Sequence, residues 1–132
     1  MSIAYSCMLV VILLPYIWVA VAKFGRDANG PVRYNNHAPR MQQEKLEGWR
    51  RRAVWAQNNA FESMPGFLAA VLAAQHVGVD AVLVDNAAVA FVALRVAHGL
   101  LYLADWPRLR STTWALGVAV VVYLFIATGT HA

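Results

Sequence analysis

The chain alternates long apolar blocks with short polar intervals, and this alternation lays out its elements. Residues 3–24 are almost unbroken apolar sequence, long enough as a helix to cross a hydrocarbon core of ~30 Å. A second helix is expected over 49–76. Its first half is polar and its second half apolar, with a bend predicted at Pro65-Gly66. A third apolar run covers 81–103 and carries Asp85, Asn86, Arg95, His98 and Tyr102. The fourth, 111–128, is the most uniformly apolar, and Ser111 or Thr112 is the expected cap. Pro15 is expected to kink the first helix, because a mid-helix proline lacks a backbone donor and clashes with the preceding turn. The interval 25–48 contains Pro31, Asn35, Asn36 and Pro39, which rule out one continuous helix, and it reads as a solvated linker with His37 exposed. A tight turn at 77–80 and a short loop at 105–110 complete the layout. The pattern predicts one all-α domain over 1–132, an integral membrane four-helix bundle with spans at 3–24, 49–76, 81–103 and 111–128.

Composition agrees with a membrane reading. Of the 132 residues 60% are hydrophobic and 14% charged, too apolar a balance for a soluble chain this short to bury. A signal peptide is the rival reading of the first run, and Ala20-Val21-Ala22 imitates a cleavage site. No Lys or Arg precedes the run, whereas Lys23 and Arg26 follow it, so an uncleaved helix is expected. The single cysteine, Cys7, allows no intramolecular disulfide and reads as a buried small hydrophobe.

The net charge of +4 raises nucleic acid as a partner, but the placement of the charges argues against it. Eight of the eleven Lys and Arg residues fall between Lys23 and Arg52, two are Arg108 and Arg110, and one, Arg95, lies within a span. Four spans would put the first and third connections on one face. By the positive-inside bias that face is cytoplasmic and both termini lie outside.

The polar residues inside or beside the spans form the candidate site. Asn59 and Glu62, three apart, share a helix face, as do Arg95, His98 and Tyr102 at i, i+3 and i+7. Arg52 lies seven residues before Asn59. All belong to the same ends of their helices as Arg108, Arg110 and Ser111, and so are expected at one depth, in a wet basic pocket. Each also has a structural reading. Arg50, Arg51 and Arg52 can anchor topology, Glu62 and Arg95 can form an interhelical bridge, His98 can be a hydrogen-bonded core residue, and Tyr102 and Trp106 can belong to an aromatic belt. A bridge needs one cation for Glu62, and several are available. The surplus guanidiniums point to an anionic ligand.

The run Arg52-x-x-x-Ala56-Gln57-x-Asn59-x-x-Glu62-x-x-Pro65-x-Phe67 resembles the signature of the membrane-associated proteins in eicosanoid and glutathione metabolism (MAPEG), which include microsomal glutathione transferases and the leukotriene and prostaglandin synthases. Arg95-x-x-His98-x-x-x-Tyr102, followed by Arg110-Ser111-x-x-Trp114, is similar to the third-to-fourth helix segment of the prostaglandin synthase branch. The resemblance implies a homotrimer that binds glutathione between protomers near the cytoplasmic face. It also implies that Asn59, Glu62, Arg95, His98 and Tyr102 hold glutathione and that Arg110 with Ser111 faces its sulfur. Three positions depart from the family pattern. Gln57 stands where many members have His, and Trp114 where Tyr is common. Trp55 stands where the prostaglandin synthase has a glutathione-binding arginine, a role that would pass to Arg51 or Arg52. The spacing from Tyr102 leaves Arg108 as an alternative to Arg110.

The function expected from these residues is a glutathione-dependent transferase or peroxidase whose lipophilic substrate arrives from the membrane lipid. A non-catalytic lipid-binding or scaffolding member is the alternative. A transporter or channel is disfavoured, because the polar groups gather at one end of the bundle.

Overall fold

A computed structural model describes residues 2–27, 30–31 and 34–131. The elements, in chain order, are α1 (Ile3–Phe24), a two-residue antiparallel ladder of β1 (Arg26–Asp27) and β2 (Gly30–Pro31), the short helix α2 (Pro39–Glu44), and the long helices α3 (Gly48–His76), α4 (Ala81–Leu103) and α5 (Pro107–His131). Arg33, one of the basic residues of the first connection, lies outside the described residues. Helices α1 and α3 run continuously through Pro15 and Pro65.

Three of these helices, α1, α4 and α5, are long and apolar enough to cross a membrane. The second expected span, α3, is not among them, because its first half carries Arg50, Arg51, Arg52, Gln57, Asn58 and Asn59. At 1.5 Å per residue its 29 residues extend ~44 Å, beyond a hydrocarbon core of ~30 Å.

Helices α1 and α3 pack antiparallel along matched seams. On α1 the buried positions include Ala4, Cys7, Val11, Leu14, Trp18 and Ala22; on α3 they include Ala53, Ala56, Ala60, Phe67, Ala70 and Ala74. Both series step by three, four or seven residues, the spacing that keeps one stripe of a helix against its neighbour. The alanines of α3 let the backbones approach closely. Helix α4 runs parallel to α1 and is fixed at two heights. The Asp85 carboxylate accepts from the Ala4 amide at 2.8 Å, and the Trp18 indole covers Gly99. Asp85 therefore caps α1 together with Ser2. Stacked Phe67 and Phe91, with ring centroids 4.1 Å apart, join α3 to α4 in the core. On α5 only Gly117 and Leu124 are buried, so most of its surface is an unpartnered apolar face.

The ends of α3 and α4 share one device. Gly78, at φ +80°, lets the Val79 amide reach the Ala74 carbonyl, and Asp105, at φ +59°, lets the Trp106 amide reach Leu101. Both are Schellman-type endings, which satisfy carbonyls left open at a helix C-terminus. The second ending shortens the last connection. Helix α5 starts at Pro107 rather than at Ser111, and the expected loop over 105–110 is largely helical. Proline suits a first helical turn because its φ is already set and its missing amide is not needed there. Ser111 and Thr112 are accordingly not caps. Their hydroxyls donate back to the carbonyls of Pro107 and Arg108.

The three consecutive arginines at the start of α3 each reach a different helix end. Arg50, 1% exposed, donates from Nε to the Ala22 carbonyl at 2.8 Å and from Nη2 to Lys23 at 3.0 Å, closing the C-terminus of α1. Arg51 donates to the Gln43 carbonyl of α2, and Arg52 to the Leu103 carbonyl of α4. Cations at these carbonyls oppose the negative end of each helix dipole, and those at Ala22, Lys23 and Leu103 satisfy acceptors at a helix end.

A methyl group added at Gly99 would lie 2.0 Å from a carbon of the Trp18 ring. The Gly99→Ala variant should lose ~1–3 kcal/mol through overpacking, read as a lower unfolding midpoint in detergent, whereas Gly129→Ala, which meets no atom within 4 Å, should not.

Candidate functional site

The helical repeat brings polar residues of α3 and α4 to one cavity. Asn59, Glu62, Ser63 and Gly66 lie on one face of α3, Phe91 and Arg95 on one face of α4, and Trp114, Gly117, Val118 and Val121 on one face of α5. Together they enclose about 320 Å³. Gly66 and Gly117 have no side chain to narrow it.

Arg95 is the centre of the polar end. It is 3% exposed, and its Nη2 donates to the Asn59 side-chain oxygen. The Asn59 amide in turn donates to Glu62 Oε2 at 3.4 Å. The guanidinium and the carboxylate are thus linked through an amide and do not form a direct ion pair. Arg95 Nε is buried and has no hydrogen-bond partner among the described residues. A buried cation with donor capacity left over fits an anionic group of a ligand.

His98, also 3% exposed, lies one turn further along α4. Its Nδ1 is 3.1 Å from the Arg110 carbonyl and 3.3 Å from the Thr113 hydroxyl oxygen. A carbonyl only accepts, so in the neutral ring the proton sits on Nδ1 and Nε2 carries the lone pair. The contact ties α4 to the first turns of α5. Tyr102 meets the His98 ring edge-on, and the Arg110 guanidinium lies over the Tyr102 ring, 4.3 Å from its centroid. His98, Tyr102 and Arg110 therefore form a stack next to the cavity rather than part of its lining.

The remaining candidates lie elsewhere. Arg52, besides its bond to Leu103, is 4.0 Å from Asp105 and sits at the end of α4. Ser111 faces the Pro107 carbonyl, and Arg108 is exposed. Trp55 and Gln57 line a separate groove of about 680 Å³ between α1, α2 and α3, together with Lys23, Arg40 and Arg51. Sequence reasoning missed Thr113 as a partner of His98 and the use of Phe91 and Gly117 as cavity walls.

Comparison with known proteins agrees with this layout. The model of the MAPEG family matches residues 3–130, nearly the whole chain. The chain belongs to the MAPEG family. That membership, with three helices apolar enough to span a bilayer, makes it an integral membrane protein. No curated protein and no solved structure shows a significant match to it.

Asn59→Leu removes the acceptor of a buried guanidinium, and hydrogen bonds to charged groups contribute ~1.5–3 kcal/mol. The variant should lose stability by that amount in chemical denaturation, while Asn58→Leu, on an exposed position of α3, should change little.

Proposed function

We propose that this MAPEG protein is a glutathione-dependent transferase or peroxidase acting on lipophilic electrophiles. The observation that carries this reading is the buried Arg95, held by Asn59 beside Glu62, at the polar end of an otherwise apolar cavity. A carboxylate and a guanidinium at that end suit a ligand with an ammonium and a carboxylate on one carbon, as in the γ-glutamyl head of glutathione. Glu62 takes the ammonium, and Arg95 takes the carboxylate.

Arg110 precedes Trp114, a cavity residue, by one helical turn, so both belong to the same side of α5. From that position its guanidinium serves the sulfur. A free thiol has a pKa of roughly 8.5, and a nearby cation lowers it by favouring the thiolate. The thiolate sulfur then bonds to the electrophilic atom, and the leaving group departs with the electron pair. Tyr102 holds Arg110 from below, and His98 holds the backbone that carries it. Both act as positioning residues, with Ser111 adjacent. Arg52 we assign to the end of α4.

Family membership and charge placement support a reading of the wider arrangement. Residues 1–132 form one domain of four spans, with the polar half of α3 shielded by its neighbours. Three copies assemble as a homotrimer with the termini outside and the basic connections cytoplasmic. The apolar substrate enters from membrane lipid along the largely exposed α5. A non-catalytic lipid-binding role is the second reading. It is favoured by the apolar lining and by the engagement of Ser111 with the Pro107 carbonyl.

Arg110→Leu separates the two readings. For the enzyme, glutathione affinity stays near wild type, while the ultraviolet thiolate signal and the conjugation rate fall together, about tenfold for each unit of thiol pKa regained. Raising the pH should partly restore both. Glu62→Gln should instead weaken binding and change the bound thiol's pKa much less. An Arg110→Leu variant with full thiolate and full rate removes Arg110 from the mechanism, and Arg108 is then tested. A wild type that binds glutathione without thiolate supports the lipid-binding role.

A further inference from the structure

A second recess lies on the other side of α5 from the cavity. It runs between α4 and α5 as an open groove of about 760 Å³. Leu83, Ala87 and Leu94 of α4 and Leu116, Ala119 and Val120 of α5 make it apolar along its length. Three polar side chains, Asp80, Asn86 and Tyr123, also line it, toward the end of the bundle where α3 turns into α4. Gly117 packs against Phe91 and Arg95, so Tyr123, further along antiparallel α5, comes level with Asn86.

Depth gives these groups their meaning. From Asp80 to Leu94 the chain rises ~21 Å at ~1.5 Å per helical residue. That is about half of a bilayer of ~40–45 Å with its head groups included. The groove therefore runs the depth of a single leaflet. Asn86 stands ~9 Å below Asp80, where the head-group layer gives way to hydrocarbon. The Asn86 amide and the Tyr123 hydroxyl belong to exposed residues, and neither bonds to a described residue. A hydrogen-bonding group that faces lipid is costly unless it finds a partner. The ester carbonyls of a glycerophospholipid lie at that depth and accept hydrogen bonds.

Charge selects the head group. No Lys or Arg precedes Lys23, lies between Arg52 and Arg95, or follows Arg110. The carboxylates at this end are Asp80 and Asp85, and Asp85 accepts from the Ala4 amide of α1. The histidines here, His76 and His131, do not line the groove. Asp80 is exposed. Its Oδ1 accepts from the Leu83 amide, and its Oδ2 has no partner among the described residues. Such a carboxylate repels an anionic head and attracts an ammonium. A primary ammonium also donates hydrogen bonds to it, which a choline head cannot.

We propose that the groove between α4 and α5 holds one phospholipid with a primary ammonium head (phosphatidylethanolamine). Its ammonium meets Asp80, its ester carbonyls accept from Asn86 and Tyr123, and an acyl chain lies along the groove. The site is separate from the cavity that α3, α4 and α5 enclose and does not depend on thiol chemistry.

The test is native mass spectrometry of the purified full-length protein in mild detergent. The protein is mixed with equal amounts of phosphatidylethanolamine, phosphatidylcholine and phosphatidylglycerol of one acyl composition. One lipid per chain should be retained, with the ethanolamine lipid about two- to fivefold over the others, the range an exposed ion pair gives. Asp80→Asn keeps a good helix cap and should abolish that preference, while the choline lipid is retained as before. Ala119→Trp, at an exposed position, fills the groove and should displace all three lipids. Equal retention of the three lipids, or a preference for the glycerol lipid, overturns the head-group assignment. A preference that survives Asp80→Asn overturns the role of Asp80. Full retention in Ala119→Trp overturns the groove as the site. Loss of a higher assembly in that variant, with lipid retention unchanged, gives the groove to a second copy of the chain and overturns the proposal too.

Discussion

Most of this architecture depends on the three arginines at the start of α3, which fasten one helix to the ends of three others. A helix that stops inside a packed bundle leaves carbonyl oxygens that have lost water and gained no amide. Arg50 and Arg52 supply those donors for α1 and α4, and Arg51, between them, adds a second donor to the Gln43 carbonyl of α2, which also accepts from the Leu46 amide. Successive residues of a helix point ~100° apart, so a run of three arginines can serve partners on three sides. The clamp fixes the height of α3 relative to α1 and α4. Asn59, Glu62 and Arg95 meet because that height is fixed.

The same clamp shapes the chemistry. Guanidiniums that donate to helix carbonyls turn those donors away from the cavity. Arg95 differs in place, since it is buried against Asn59 and lines the cavity; its Nε, like that of Arg52, has no partner among the described residues. The cluster that dominates the charge of this end of the chain therefore supports the fold, and Arg95 is the cation that lines the cavity. The stack of His98, Tyr102 and Arg110 lies where α4 passes into α5, and its geometry depends on the tight Asp105 ending that brings these helices together.

Much of this was legible in the sequence, and the exceptions have physical reasons. The limits of α1 and α4 follow from apolar runs bounded by Ser2 and Asp80, whose side chains accept from the first turns. Helical spacing puts Asn59 and Glu62 on one face, while the expected Glu62–Arg95 bridge is replaced by a link through the Asn59 amide. The start of α5 was misplaced by four residues because the left-handed turn at Asp105 carries no glycine to announce it, although Pro107 was an available signal for a first turn. The roles of the arginines were hidden for a different reason. A carbonyl acceptor belongs to every residue, so nothing in the sequence marks Ala22, Gln43 or Leu103 as a partner. Charge counting identifies Arg50, Arg51 and Arg52 as important, but it does not separate holding a helix end from holding a ligand.

Arg52→Gln tells holding a helix end from holding a ligand. Arg52 occupies the position at which the family signature opens, yet it donates to the end of α4. The account predicts that the variant unfolds about 3–6 °C lower, the shift expected for ~1 kcal/mol in a chain of this size, with its dissociation constant for glutathione unchanged. A variant that keeps the wild-type unfolding temperature and loses glutathione binding would contradict it, and would make Arg52 a residue that reads the ligand.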